Sequence, residues 1–391
     1  MPPGRDDSPA RRAFVVVIDA LGVGAEPDAA DYGDAGSHTL RHLAEAVGGL
    51  HLPALQQLGL GELGPVRGLP RSDAPALHGV LHHLGPGKDS TTGHWELMGV
   101  VVPAPLPTYP GALPAELLAR LEAATGHRLC GGEVLDGLAA IERHGAHHLR
   151  TGELIAYTSV DSVVQLAAHE DVVAQGALED ACAAARIELH GPDAVGRVIA
   201  RPFRGVPGAF ERTLGRRDFA LPPPSRSYLD ALRDADIPVH AVGKVDDLFA
   251  GRGIDHAYPG ATNADALAAI DLLVGELEHG LVFANLIETD QVFGHRKDVR
   301  GFHAALREID DAVALWLERL GPGDLLVITA DHGVDPAMGH TDHTRERVPL
   351  LARFAGDGGR RHDGPMADVG ASVLRWLGGD DEPSLPGDPF T

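Results

Sequence analysis

Three short apolar runs in this chain each deliver an aspartate, and that recurrence limits its folding more than any other feature. Residues 14–18 end at Asp19. Residues 281–287 lead to Asp290, with His295 five positions further on. Residues 325–329 lead to Asp331, His332 and Gly333. The runs have the length of strands and are rich in β-branched side chains. Strands apolar on both faces belong to a sheet covered on both sides, which is usually parallel. Amphipathic stretches alternate with them. Ser37 is the expected cap of a helix that lines up Leu40, Leu43, Ala44 and Val47. Asn263 is the expected cap of a helix running to Gly280, a long helix is expected from Phe302 to Leu320, and another from Asp368 to Leu377. This alternation predicts an α/β fold with a mainly parallel sheet. The C-terminal ends of parallel strands share one edge, where such sheets bind ligands, so the three aspartates are expected to meet there.

Carboxylates gathered at one edge repel one another unless cations lie between them. Aspartate oxygens mixed with histidine nitrogens suit Mn, Zn or Co better than the all-oxygen cages of Ca or Mg. His343, in the run His340-Thr341-Asp342-His343-Thr344, adds another nitrogen. So many ligands point to two metals, the arrangement that clamps the oxygens of an in-line phosphoryl displacement. Taken singly, an Asp after a strand is often a turn residue or a helix cap. A nucleophile is also at hand in residues 85–96, where Ser90, Thr91 and Thr92 lie between glycines. A hydroxyl oxygen bound to a metal has a lowered pKa and becomes an effective nucleophile. Read alone, the same segment is a loop capping a helix at residues 95–100.

Charge narrows the partners. Against 33 Lys and Arg stand 56 Asp and Glu, a formal net charge of −23. Such a chain has no general attraction for nucleic acid or an anionic membrane. Cys130 and Cys182 are its two cysteines, too few for a disulfide framework, and a reducing, cytoplasmic setting is expected. Arg11 and Arg12 before an apolar run resemble the start of a signal peptide, but Asp19 interrupts the run. No run is long enough to span a bilayer. Proline-rich stretches at 102–107 and 221–224 read as linkers. They divide the chain into a core, residues 1–103 with 218–391, and an inserted cap, residues 104–217. The tail from Gly378 onward is rich in Pro, Gly and Asp and reads as loose. Within this acidic chain, six arginines fall from Arg197 to Arg217, with Glu211 the one acid among them. Guanidinium forks match phosphate oxygens. Arg216 and Arg217, next to Asp218, read instead as surface ion pairs.

Longer motifs carry a resemblance. Residues 17–24 with 27–31, 87–96, 157–162, 167–170, 195–203, Gly243-Lys244, 290–296, 331–336 and 341–346 resemble, in order and nearly end to end, the bacterial phosphopentomutases of the alkaline phosphatase superfamily. The resemblance implies an alkaline-phosphatase-like core with an inserted α+β cap. It implies one metal on Asp19, Ser90, Asp331 and His332 and a second on Asp290, His295 and His343, with Mn²⁺ as the ion. The implied reaction interconverts ribose 1-phosphate and ribose 5-phosphate, and the 2-deoxyribose pair, through a phosphorylated Ser90 and a sugar bisphosphate. Glucose 1,6-bisphosphate or a similar compound would prime it. Arg197 and Lys244, with Arg201 or Arg212, would hold the non-reacting phosphate, and Ser159 and Asp161 the sugar hydroxyls. The chain departs from the family at Ser90, where Thr is usual, at a shorter stretch 129–134, and at Glu288, where Asp is usual. A two-metal phosphatase or phosphodiesterase, or a phosphomutase of another sugar phosphate, would need the same ligands. Gly59-Leu60-Gly61-Glu62-Leu63-Gly64 fits a dinucleotide motif but follows a helical pattern, so no such site is expected.

Overall fold

The computed structural model describes residues 11–73, 75–159 and 162–391. In chain order its strands are β1 (Arg12–Ile18), β2 (Leu77–His82), β3 (Leu129–Val134), β4 (Leu154–Thr158), β5 (Val163–His169), β6 (Arg197–Val206), β7 (Ala209–Arg212) and β8 (Arg217–Ala220). They continue with β9 (Val239–Val242), β10 (His256–Tyr258), β11 (Gly280–Leu286), β12 (Asp324–Thr329), β13 (Val348–Arg353) and β14 (Gly364–Pro365). The chain divides into two compact units, Met1–Pro105 with Pro223–Thr391, and Leu106–Pro222.

The first unit is built on an eight-stranded sheet in the order β10-β9-β11-β1-β12-β13-β2-β14. From β10 to β12 every pairing is parallel, while β13 runs antiparallel to both β12 and β2. Central β1 has no exposed side chain from Ala13 to Ile18, as its uniformly apolar sequence requires. Register fixes the working edge. Ile18 pairs with Leu286 and Val17 with Thr329, so the chain leaves β1, β11 and β12 at the same level. The helix Val299–Arg319 buries Phe302, Leu306, Ile309, Val313 and Trp316, one stripe at three- and four-residue spacing. Each such side chain contributes roughly 1.5–3 kcal/mol by leaving water.

Several local expectations need correction. His38, not Ser37, precedes the helix Thr39–Val47, and its ring accepts from the Arg41 N–H. Thr262, not Asn263, caps the helix Asn263–Glu276, through a reciprocal box with Asp265. The helix expected at 95–100 starts five residues earlier and spans Ser90–Leu97, with the Asp89 side chain accepting from the Thr92 N–H. Strands β2 and β13 carry His78, Gly79 and Pro349, residues that disguise a strand in sequence. The tail is not loose. Phe390 is buried, its N–H donates to Ser372 Oγ, and Asp388 N–H donates to Asp368 Oδ1.

The second unit has a six-stranded sheet, β3-β4-β5-β6-β7 with β8 also on β6. Its two faces are legible along β4. Leu154 and Ala156 join the cluster under helices Ala115–Thr125 and Gln175–Glu188, while Ile155 and Tyr157 pack with Ala140 and Ile141 of helix Gly137–Thr151. Both ends of the segment are tied to one place. Ser162 Oγ donates to Pro107 O, Gly196 N–H donates to Ser162 Oγ, and Leu221 N–H donates to Gly196 O.

Candidate metal centre

At the shared edge of the first unit, Asp19 follows β1 directly. Ala20 takes a left-handed conformation (φ 67°), and its N–H donates to Asp331 Oδ1 at 3.1 Å. A left-handed alanine costs roughly 1–2 kcal/mol, and this tight turn swings the Asp19 loop onto the loop after β12. Asp331 and His332 lie there, both fully buried. Ser90 is the first residue of its helix, and Gly93 lets that helix close in. A Cβ at Gly93 would lie 2.4 Å from the Asp331 carbonyl oxygen.

Four side chains therefore converge. His332 Nε2 lies 3.1 Å from Ser90 Oγ, 3.4 Å from Asp19 Oδ1 and 3.4 Å from Asp331 Oδ2. Ligands bound at 2.0–2.1 Å around a tetrahedral ion stand about 3.4 Å apart, so this spacing fits a single metal. The His332 Nδ1 contact with Gly333 O at 3.1 Å places the ring proton on Nδ1 and leaves Nε2 bare. Burial lowers the His332 pKa to about 4, which keeps the ring neutral.

The second group forms beside it. A π-helical turn, Thr289–Gly294, sets Asp290 and His295 on one face, closed by His295 N–H donating to the Asp290 carbonyl. His295 Nε2 is 3.3 Å and His343 Nε2 3.5 Å from Asp290 Oδ1. His295 Nδ1 donates to Thr341 O, again leaving Nε2 toward the carboxylate. The His332 and His343 ring centroids are 4.0 Å apart, so the groups adjoin.

Charge argues for cations at this place. Burial, then Asp331 and Asp290, raises the Asp19 pKa well above the usual carboxylate range, with Lys244 acting in the opposite sense. Burial also presses upward on Asp331, but His332 and His94 outweigh it and hold that carboxyl low. Asp19 Oδ1, Asp331 Oδ2, Asp290 Oδ1 and His343 Nε2 are buried without a hydrogen-bond partner. Each belongs to a residue proposed as a ligand, and two divalent metals would satisfy all four. Cys130, His147 and Glu153 of the second unit also bring ligand atoms within 4.8 Å. There His147 Nε2 and Glu153 Oε2 satisfy each other at 2.7 Å, and neither is a buried orphan.

The expected substrate residues are distributed over both units. Lys244 follows β9 in the first. In the second, Arg201 Nη2 donates to Gln165 Oε1, which also accepts from the Tyr157 hydroxyl, while Arg201 Nε is a buried orphan. Burial raises the Tyr157 pKa, and Arg201 and Arg212 oppose the rise from close by. Arg197 begins β6, four residues before Arg201, with Asp218 3.8 Å away. Ser159 follows β4, and Asp161 lies outside the described residues. Arg216 pairs bidentately with Asp218 and Arg217 with Glu179, the ion pairs expected of them.

Four contributors escaped the sequence reading. His94 and Asn285 are buried behind Asp19 and Asp331. Lys88 donates to His343 O at 2.7 Å and to buried Asp34 at 3.2 Å, tying down the His343 loop. Glu346 is wedged between the loops after β1 and β12, where a Cβ at Gly22 or Gly333 would collide with its carboxylate. Asn285 had a signal, being the lone polar residue of an apolar strand. His94 had a weaker one, four residues from Ser90 on the same helix face.

Residues 11–381 match the model of the Metalloenzyme superfamily. A phosphopentomutase of Anaeromyxobacter sp. (strain K) is 47% identical over 374 residues, 94% of this chain and 96% of that protein. A phosphopentomutase of Dictyoglomus turgidum is 45% identical over 342 residues, 87% of each. Among solved structures, a phosphoglycerate mutase of Leishmania mexicana, crystallised at low cobalt concentration, aligns over 98% of both chains at 14% identity, with a TM-score of 0.49.

Proposed function

Because this chain belongs to the phosphopentomutase family of the metalloenzyme superfamily, and is therefore a phosphomutase, we propose that it interconverts ribose 1-phosphate and ribose 5-phosphate, and the 2-deoxyribose pair, through Ser90. The fold is the alkaline-phosphatase-like α/β fold. The observation that carries the reading is Ser90 Oγ at 3.1 Å from His332 Nε2, among the orphaned atoms of Asp19 and Asp331. Asp19, Ser90, Asp331 and His332 are assigned one divalent metal, and Asp290, His295 and His343 the other. Mn²⁺ is the ion proposed, in keeping with the mixed oxygen and nitrogen donors. Bound there, the two metals would neutralise phosphoryl oxygens and lower the pKa of a ligating hydroxyl.

The chain's own residues then have defined tasks. Phosphorylated Ser90 gives its phosphoryl group to the 5-hydroxyl of ribose 1-phosphate. The new P–O5 bond forms as the P–Oγ bond breaks, and the hydroxyl proton is left to Ser90. Ser90 Oγ next takes the phosphoryl group from O1: the P–O1 bond breaks as the P–Oγ bond forms, the Ser90 proton passes to O1, and ribose 5-phosphate leaves the restored phosphoenzyme. Ser90 opens an eight-residue helix, so its phosphate lies at the positive end of the helix dipole. A sugar bisphosphate such as glucose 1,6-bisphosphate would phosphorylate Ser90 initially.

Arg197, Arg201, Arg212 and Lys244 are assigned the phosphate that does not react, and Ser159 and Asp161 the sugar hydroxyls. The buried orphan at Arg201 Nε supports the first assignment. The unit Leu106–Pro222 would serve as a cap that keeps water from the phosphoenzyme. Among the described residues no helix is long and apolar enough to cross a membrane. The free thiols of Cys130 and Cys182 suit a cytoplasmic setting.

The deciding experiment supplies ribose 1-phosphate, Mn²⁺ and a trace of glucose 1,6-bisphosphate, and follows ribose 5-phosphate and free phosphate together. Ribose 5-phosphate with little free phosphate is expected. Rapid phosphate release without isomerisation would overturn the mutase reading in favour of a phosphatase.

A further inference from the structure

Behind the first group of proposed ligands lie two fully buried residues, His94 and Asn285. Asn285 sits on β11 opposite Val17 of β1, two residues before Asp19. Its Nδ2 donates to Asp19 Oδ2 at 3.0 Å and approaches His94 Nε2 at 3.1 Å. One amide group thus spends both protons. The opposite amide orientation would set Oδ1 against Asp19 Oδ2, acceptor against acceptor when that carboxylate ligates a metal, whereas Nδ2 suits it.

The tautomer of His94 follows from both sides of the ring. Asn285 Nδ2 can only donate, so His94 Nε2 is bare. The Ser90 carbonyl can only accept, and it lies 2.8 Å from His94 Nδ1, so Nδ1 carries the proton. Both requirements describe one neutral imidazole. The same Nδ1 is 3.2 Å from Asp331 Oδ2, whose partner oxygen Oδ1 already accepts from Ala20. Oδ2 of Asp19 is taken by Asn285, which leaves Oδ1 to face His332.

We propose that His94 and Asn285 are positioning residues that act as one unit: they select the carboxylate oxygen that Asp19 turns to the metal, and they hold the Ser90 turn of the helix against Asp331. This rests on the ligand assignment above. The polar groups that support a ligand commonly govern metal affinity by about 10- to 100-fold.

The test is Mn²⁺ titration of metal-free protein, read by electron paramagnetic resonance and calorimetry, with metal-free melting and circular dichroism to establish folding. Wild type should bind two Mn²⁺ per chain. His94→Phe, which fills the space without the hydrogen bonds, and Asn285→Leu should each weaken one site about 10- to 100-fold and leave the other unchanged. The double variant should be little worse than either single one, because the two residues share a network. His94→Asn, whose side-chain N–H stands near the place of Nδ1–H, should recover part of the affinity. The inference is overturned if folded His94→Phe and Asn285→Leu bind both ions as tightly as wild type, or if His94→Asn is no better than His94→Phe. Should His94→Phe not fold, Asn285→Leu decides alone by the same measure. If Asp19→Ala keeps both ions, the ligand assignment has failed, and the inference with it.

Discussion

Ser90 and Glu346 show how much single side chains govern here. Ser and Thr offer the same oxygen and differ by one methyl group, so Ser90→Thr should retain substantial turnover. Ser90→Ala leaves no hydroxyl to carry the phosphoryl group and should abolish it. Intact mass and peptide mapping after incubation with glucose 1,6-bisphosphate should place the phosphate on Ser90. A phosphate on Thr91 or Thr92 would relocate the nucleophile. Glu346 accepts from Thr39 N–H, Thr39 Oγ1, Thr344 Oγ1 and Gly24 N–H, yet burial lifts its pKa to about 7. Unfolded, it would ionise near 4.5. Between those values the folded chain keeps a proton that the unfolded chain has lost, so rising pH weakens the fold through this group. Glu346→Gln keeps the shape, and both threonine hydroxyls can turn to accept from its amide. The variant should therefore gain on wild type from pH 4.5 to 7, by at most about 1.4 kcal/mol per pH unit. Denaturant melts across that range measure the difference, and parallel curves would show that Glu346 does not titrate there.

The helix Ser90–Leu97 makes the same point for an element. Trp95 and Leu97 bury its apolar side, and at Gly93 it is seated by close backbone approach. Alanine in place of a helical glycine would ordinarily stabilise by roughly 0.8–1 kcal/mol. At Gly93 the added methyl meets a backbone carbonyl that cannot swing aside. Gly93→Ala should instead destabilise by roughly 1–3 kcal/mol and reduce metal content, since the helix must lift from Asp331. Melting curves and elemental analysis check both, and wild-type values in both would remove Gly93 from this role. The π-helical turn Thr289–Gly294 is a comparable device. It turns the spacing of Asp290 and His295 into a shared face, which an ordinary helix would offset.

For the molecule as a whole, the division into two units yields a different expectation. Leu106–Pro222 is one continuous segment with apolar clusters on both sheet faces, and Ser162 and Gly196 fasten its two ends. Expressed alone, it should fold and melt cooperatively at a temperature that chelators do not change. Among its described residues no group of histidines and acids has orphaned buried ligand atoms. A broad, non-cooperative melt would show that its core depends on the rest of the chain. The first unit consists of two segments and cannot be isolated so simply.

The sequence by itself determined the parallel core and the edge at which Asp19, Asp290 and Asp331 gather, because strand length, apolarity and the alternation of strands with helices are local properties with one geometric consequence. It also made Ser90 a candidate nucleophile and marked His332 and His343 as candidate ligands at that edge. Tertiary structure decided the rest. Strands β2 and β13 are held by pairing partners more than by their own composition, and the proline-rich tail is ordered by Ser372 and Asp368. Which oxygen of Asp19 is free, which nitrogen of His94 is protonated, and why Gly93 must be glycine are settled by contacts between β1, β11, the loop after β12 and the Ser90 helix. Such contacts join residues hundreds of positions apart. Hydrogen bonding and close packing act through space, so no local pattern records them.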